Sequence, residues 1–126
     1  MMTAIATVTF QSTVPAKPMA AKEMDVALAM VRAASDSGKP AGEDGTRVHV
    51  HYKAFGKPTA AAIAAAQRAA DLGLPHDRYT GRVSRVWTSA AGDRLVTLYV
   101  ELERDHTWRT LNLTKGDVYK FVVLGD

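Results

Sequence analysis

The chain has 126 residues, the length of one ordinary domain, and we expect a single α+β domain over residues 1–126. Its composition, 47% hydrophobic and 23% charged, is typical of globular proteins and argues against disorder as the main state. Because the sequence contains no cysteine, it excludes disulfides, thiolate chemistry and zinc sites built on cysteine.

The charge of the chain is only weakly basic. The formal net charge is +3, with a surplus of +2 in residues 1–63 and of +1 in residues 64–126. Neither half is a polycation, so the high isoelectric point gives little support by itself for a nucleic-acid partner.

The sequence also predicts where the protein resides. A secretory signal would require a basic residue near the N-terminus, but none precedes Lys17. No apolar run approaches the ~18 residues that span a membrane. We expect a cytoplasmic protein with no membrane partner. The 21 alanines, two isoleucines and single asparagine are typical of a GC-rich bacterial genome.

The first half of the chain alternates strands and helices. Residues 4–10 alternate as a strand does, and residues 20–34 place Met24, Leu28 and Val31 on one apolar helical face. A loop-like stretch over residues 35–45 leads to a second strand, residues 47–53. A second helix over residues 58–72 opens with a proline and ends before a glycine, and we expect Ile63, Ala66 and Ala70 to form its packing stripe.

The second half predicts four strands, over residues 79–88, 94–103, 107–113 and 118–124. Because the last strand is apolar on both faces, we expect it at the centre of its sheet. The order β-α-β-α-β-β-β-β indicates one curved, mostly antiparallel sheet with both helices packed on one face. The alternative is a small C-terminal barrel from residue 79 onwards, with the preceding α/β segment as a lid. Separately, the segment from Trp108 to Leu113 before Lys115-Gly116-Asp117 resembles the end of small SH3-like barrels in bacterial regulatory and phage proteins. That resemblance covers less than half of the chain and assigns no residue a role.

Enzymatic motifs are scarce. Phe55-Gly56-Lys57-Pro58 lacks the upstream glycine and the Ser or Thr after lysine that a phosphate-binding loop needs. No serine stands in a Gly-x-Ser-x-Gly elbow. We therefore predict no catalytic residues and no cofactor, although a small enzyme or metal-binding protein stays an alternative.

His49 and His51 are the candidate metal ligands. Residues i and i+2 of a strand share a face at a spacing of roughly 6–7 Å, which suits chelation of one ion. The competing interpretation is a solvated face, since Arg47 and Lys53 flank the pair with positive charge.

Two kinds of binding site remain. Cations beside aromatics predict a surface for single-stranded nucleic acid, for which we select Arg82, Arg85, Trp87 and Arg109. A cleft between helices and sheet predicts a pocket for a small ligand or partner protein, for which we select Met24, Leu28, Tyr99 and Trp108. We interpret the chain as a non-catalytic binding module from a bacterium or mobile element, with nucleic-acid binding as the alternative. An exposed edge strand would also favour a homodimer.

Overall fold

The computed structural model describes residues 17–34, 45–53 and 55–125. Its helices and strands follow the predicted order from the first helix onward, and the predicted strand at residues 4–10 lies outside the described residues. The helices are α1, Ala21–Ala29, and α2, Ala60–Asp71. The strands are β1, Arg47–Tyr52; β2, Arg78–Thr88; β3, Arg94–Glu101; β4, Trp108–Thr114; and β5, Val118–Gly125.

The five strands form one antiparallel sheet in the order β4-β3-β2-β1-β5. The α+β class and the antiparallel sheet are confirmed. The barrel alternative is wrong, because β4 and β5 lie at opposite edges and the described strands do not close on each other.

The core lies on one face of this sheet. Cross-strand partners such as Val83 with Leu98, and Leu98 with Leu111, put buried aliphatic side chains side by side on that face. Met24 of α1 and Ala69 of α2 belong to the same buried cluster, so both helices pack on this face, as predicted.

Helix α2 begins at a proper cap but packs through an unexpected stripe. Thr59 accepts a hydrogen bond from the backbone N–H of Ala62 at 3.1 Å, and Gly73 follows the helix with φ of 73°. The predicted stripe is wrong: the buried positions are Ala62, Ala65 and Ala69, and Ile63 is 60% exposed. Since alanine lies on nearly every side of this helix, periodicity does not single out one face, and the helix approaches the sheet through its smallest side chains.

Strand β5 is an edge strand, so its predicted central position is wrong. Phe121 and Val123 pack against the core, whereas Val122 and Leu124 stay 36% and 44% exposed. The strand buried on both faces is β3, in which Leu95 through Leu98 are all buried. Helix α1 also ends at Ala29, five residues before the predicted end.

A buried polar network fixes the corner between β4 and β5. The Thr114 hydroxyl donates to Asp117 Oδ2 at 2.5 Å and lies 2.5 Å from the Tyr52 hydroxyl. The same carboxylate group accepts from the backbone N–H of Phe55 at 3.3 Å. These bonds tie the end of β1 to the turn that leads into β5.

We expect Gly81→Ala to lower the free energy of unfolding by about 1–3 kcal/mol. A Cβ at this buried position would overlap the backbone carbonyl oxygen of Tyr99, so β2 and β3 would have to move apart. Gly116→Ala is the matched control, because a Cβ there meets no atom within 4 Å. Urea denaturation of both variants measures the difference, and equal stabilities would contradict the close approach.

We expect Tyr79 to make the protein sensitive to alkali. Burial, followed by the charges of Tyr52 and Asp77, raises the pKa of Tyr79 to about 12. An unfolded tyrosine ionises near pH 10, so the unfolded state loses this proton first and stability falls as the pH rises from about 10 to 12. The loss amounts to about 2–3 kcal/mol above pH 12, of which about 1.4 kcal/mol is reached at pH 11, and Tyr79→Phe should remove this contribution. Urea denaturation at pH 8 and pH 11 checks this, and an identical alkaline loss in the variant would contradict it.

Candidate nucleic-acid interface

The sheet face opposite the helices, which we call the open face, concentrates positive charge. The strand register assigns five cations of the described strands to this face: Arg47, Arg78, Arg82, Arg85 and Lys120. Glu101, opposite Trp108 at the end of β3, is the only carboxylate that the described strands add to it. In a chain with a net charge of only +3, the described strands thus give this face five cations against one carboxylate, and one of the cations, Arg78, pairs with Asp77.

Two of these arginines face each other directly. Arg47 of β1 and Arg82 of β2 are cross-strand partners, an arrangement that is unfavourable for like charges. Among the described residues, neither arginine forms a salt bridge to a carboxylate. Arg82 Nη1 donates to the carbonyl oxygen of Gly45 at 2.8 Å, which holds its half-buried side chain in place.

Arg85 and Trp87 form a stacked pair next to these arginines. The Arg85 guanidinium carbon lies 3.9 Å from the centre of the Trp87 ring, within the range of a cation–π contact. The Trp87 Nε1–H donates to the buried Thr97 hydroxyl at 2.8 Å, and that hydroxyl donates to Asn112 Oδ1 at 2.6 Å. This chain of hydrogen bonds links β2, β3 and β4 and fixes the orientation of the indole.

Tyr99 completes the cluster, because it is the cross-strand partner of Arg82 on β3 and stays half-buried. We call Arg47, Arg82, Arg85, Trp87 and Tyr99 the arginine–aromatic patch. Arg47, Arg82 and Tyr99 form one cross-strand row over three neighbouring strands, and Arg85 and Trp87 follow Arg82 along β2.

The structure brings together three of the four residues predicted for nucleic acid. Arg82, Arg85 and Trp87 share the patch, whereas Arg109 is the partner of Val100 on the helix-covered side of the sheet. Arg47 was missed, although its position at the start of a strand was visible in the sequence. Only a residue-by-residue pairing of β1 with β2 could have placed it opposite Arg82.

The four residues predicted for a ligand pocket do not meet. Met24 and Leu28 belong to the core between α1 and the sheet. Tyr99 and Trp108 are partners of Arg82 and Glu101, so they lie on the open face. The sheet itself separates the two pairs.

A different groove lies on the helix side. It has a volume of about 660 Å³ and lies between α2 and the end of β1. Its walls include Tyr52, Ile63 and Tyr119, with Lys53 and Asp77 among its polar groups. These residues come from four separate segments, so no pattern along the sequence marks them as a site.

His49 and His51 share the open face, as predicted. Their Nε2 atoms approach to 3.0 Å, and His49 Nδ1 lies 2.7 Å from the Thr80 hydroxyl. Burial, followed by the nearby positive groups of His49, Lys120 and Arg78, lowers the pKa of His51 below its usual value. Among the described residues, no group of three histidine or carboxylate side chains is arranged to hold a metal ion.

Comparison of the chain with known protein families, with curated proteins and with solved structures finds no match. None of the described helices combines the length and the apolarity needed to cross a membrane.

We expect Thr97→Val to loosen Trp87, because it removes the hydroxyl that bonds both Trp87 and Asn112. The loss of these bonds should cost about 1–2 kcal/mol of stability. In a Trp108→Phe background, which leaves Trp87 as the only indole, acrylamide quenching of fluorescence should increase. Thr110→Val is the control, since its hydroxyl makes no hydrogen bond to the described residues. Unchanged quenching in the Thr97 variant would contradict the role of this bond.

Proposed function

We propose that this protein binds single-stranded nucleic acid on its open face, through the arginine–aromatic patch. The observation that carries the proposal is the direct pairing of Arg47 with Arg82 beside an arginine stacked on Trp87. A repulsive pair of this kind is relieved when an anion binds between its members.

Phosphate groups supply the anions that such a patch favours. Arg47 and Arg82 present two guanidinium groups on neighbouring strands, whose backbones lie about 4.8 Å apart. Guanidinium groups bind phosphate through two parallel hydrogen bonds, and each phosphate so neutralised releases counterions. Counterion release favours a polyanion over an isolated carboxylate.

Aromatic rings supply the sites for bases. Trp87 and Tyr99 are half-buried on the same face as the arginines, and unpaired bases stack on such rings with about 1–3 kcal/mol each. The Arg85 guanidinium covers the Trp87 ring, and a base can also stack on the plane of an arginine. Because the bases of a duplex are already stacked on each other, aromatic side chains on a sheet favour the unpaired bases of a single strand.

We expect a labelled single-stranded oligonucleotide of about twelve nucleotides to bind with strong salt dependence, measured by fluorescence anisotropy from ~50 mM salt upward. The double variant Arg82→Gln, Arg85→Gln should weaken binding by at least tenfold. It should also reduce the slope of log affinity against log salt by about 1.4, the value for two lost phosphate contacts on a single strand.

The charge-matched control is the double variant Lys22→Gln, Arg109→Gln, which removes two cations from the helix-covered side. It should keep the wild-type affinity within a factor of about two. Arg85→Lys should keep the salt slope but lose affinity, because lysine replaces the charge and not the planar stack. Melting curves of all variants verify that they are folded. No binding at ~50 mM salt, or equal losses in both double variants, would refute the proposal.

A second candidate function is the binding of a small apolar ligand in the groove between α2 and β1. Its volume of about 660 Å³ lies within the usual range for ligand sites, and Lys53, His76 and Asp77 converge on mainly apolar walls. A protein that fails to bind the oligonucleotide while keeping its fold would favour this function. A bacterial or mobile-element source and a cytoplasmic location are expectations compatible with either function.

A further inference from the structure

The two histidines of β1 are closer together than their positions in the strand require. Neighbouring side chains on one strand face stand roughly 6–7 Å apart at the backbone, yet the Nε2 atoms of His49 and His51 lie 3.0 Å from each other. The rings meet nearly at right angles, with an interplanar angle of 75°. The Nε2 atoms of the two rings thus face each other within hydrogen-bonding distance.

This distance fits two ligands of one metal ion. With metal–nitrogen bonds of about 2.0–2.1 Å, nitrogens 3.0 Å apart subtend an angle of about 90–97° at the metal. That angle belongs to neighbouring positions of square-planar or octahedral coordination, the geometries of Cu²⁺ and Ni²⁺, rather than to a tetrahedron.

Thr80 contacts the other ring nitrogen of His49, Nδ1. Its hydroxyl lies 2.7 Å from His49 Nδ1, so it can accept the Nδ1–H and leave the Nε2 lone pair free. Histidines that bind metals commonly donate their other ring N–H in this way. For His51 to bind as well, its proton has to reside on Nδ1, a change of tautomer that adds or removes no net proton.

We propose that His49 and His51 together bind one divalent transition-metal ion, Cu²⁺ or Ni²⁺, through their Nε2 atoms. Water completes the coordination, since both histidines are only half-buried and no described carboxylate or third histidine joins them. The site is independent of the proposed nucleic-acid binding, because neither histidine belongs to the arginine–aromatic patch.

The surrounding charges weaken this site without removing it. Arg78 and Lys120 are the cross-strand partners of His51, and both repel a cation. Arg78 is partly neutralised by Asp77, with 3.4 Å between the charged atoms. Lys120 has no salt bridge among the described residues, so Lys120→Gln should tighten metal binding.

The test is isothermal titration of the full chain with Ni²⁺ alone, in a buffer that does not chelate metals and without nucleic acid. Wild-type protein should bind one ion. His49→Ala and His51→Ala should each abolish this binding, and Thr80→Val should weaken it by about 10- to 100-fold. The double variant His76→Ala, His106→Ala removes the other two histidines of the chain and should bind as the wild type does.

A second measurement needs no variant. Cu²⁺ is paramagnetic, and at substoichiometric amounts it should broaden the ring NMR signals of His49 and His51 before those of the other two histidines. The proposal is refuted if Ni²⁺ does not bind at ~1 mM, if binding survives both single variants, or if Cu²⁺ broadens the signals of His76 or His106 first.

Discussion

One extra residue in β2 determines which side chains of that strand lie on the open face. Between Val83 and Arg85 the pairing with β3 advances by two residues on β2 and by one on β3, which makes Ser84 a β-bulge. In an unbroken strand, residues three apart point to opposite faces, so Arg82 and Arg85 would be separated by the sheet. With the bulge, Arg85 and Trp87 return to the face of Arg82, and the arginine–aromatic patch becomes continuous.

The same part of β2 holds the sheet in shape. A bulge bends its strand and increases the local twist. Three residues before it, Gly81 brings β2 so close to the Tyr99 carbonyl that no side chain fits between the strands. Gly81 and the bulge at Ser84 thus lie on the stretch of β2 that pairs with β3. Tyr99 of β3 contacts this stretch twice: its backbone carbonyl approaches Gly81, and its side chain lies opposite Arg82. The geometry of the patch and the packing of the core are therefore coupled through one pair of strands.

Patterns of apolar residues predicted every described strand, but they do not tell what lies beyond each face of the strand. Residues 118–124 are apolar on both sides, and the strand is nevertheless an edge, with Val122 and Leu124 exposed. Strand β3 carries Thr97 in its interior and is buried on both faces, because Trp87 and Asn112 satisfy that hydroxyl. Burial of a polar residue depends on partners from other strands, which periodicity along one segment does not contain.

Pairing across strands also limited the prediction of the site. His49 and His51 were placed correctly relative to each other: the sequence put them on one face, and the register confirms it. Relations between strands were beyond reach, because the sequence marks neither the bulge at Ser84 nor the partner of Arg47. Arg109 follows Trp108 in the sequence and therefore looked like part of an aromatic–cation pair. Adjacent residues of a strand point to opposite faces, and only Trp108 reaches the open face.

The arrangement of the patch lowers the cost of binding. Long arginine side chains lose conformational freedom when they bind a ligand, typically about 0.5–1.5 kcal/mol for each. Here much of that freedom is already lost in the free protein, because Arg82 is held by the Gly45 carbonyl and Arg85 by the Trp87 ring. Trp87 is held in turn by Thr97, and Thr97 by Asn112. The entropy cost of ordering these side chains and the repulsion between Arg47 and Arg82 are both already present in the free protein. A polyanion therefore binds groups that are already in place, and its binding relieves the repulsion.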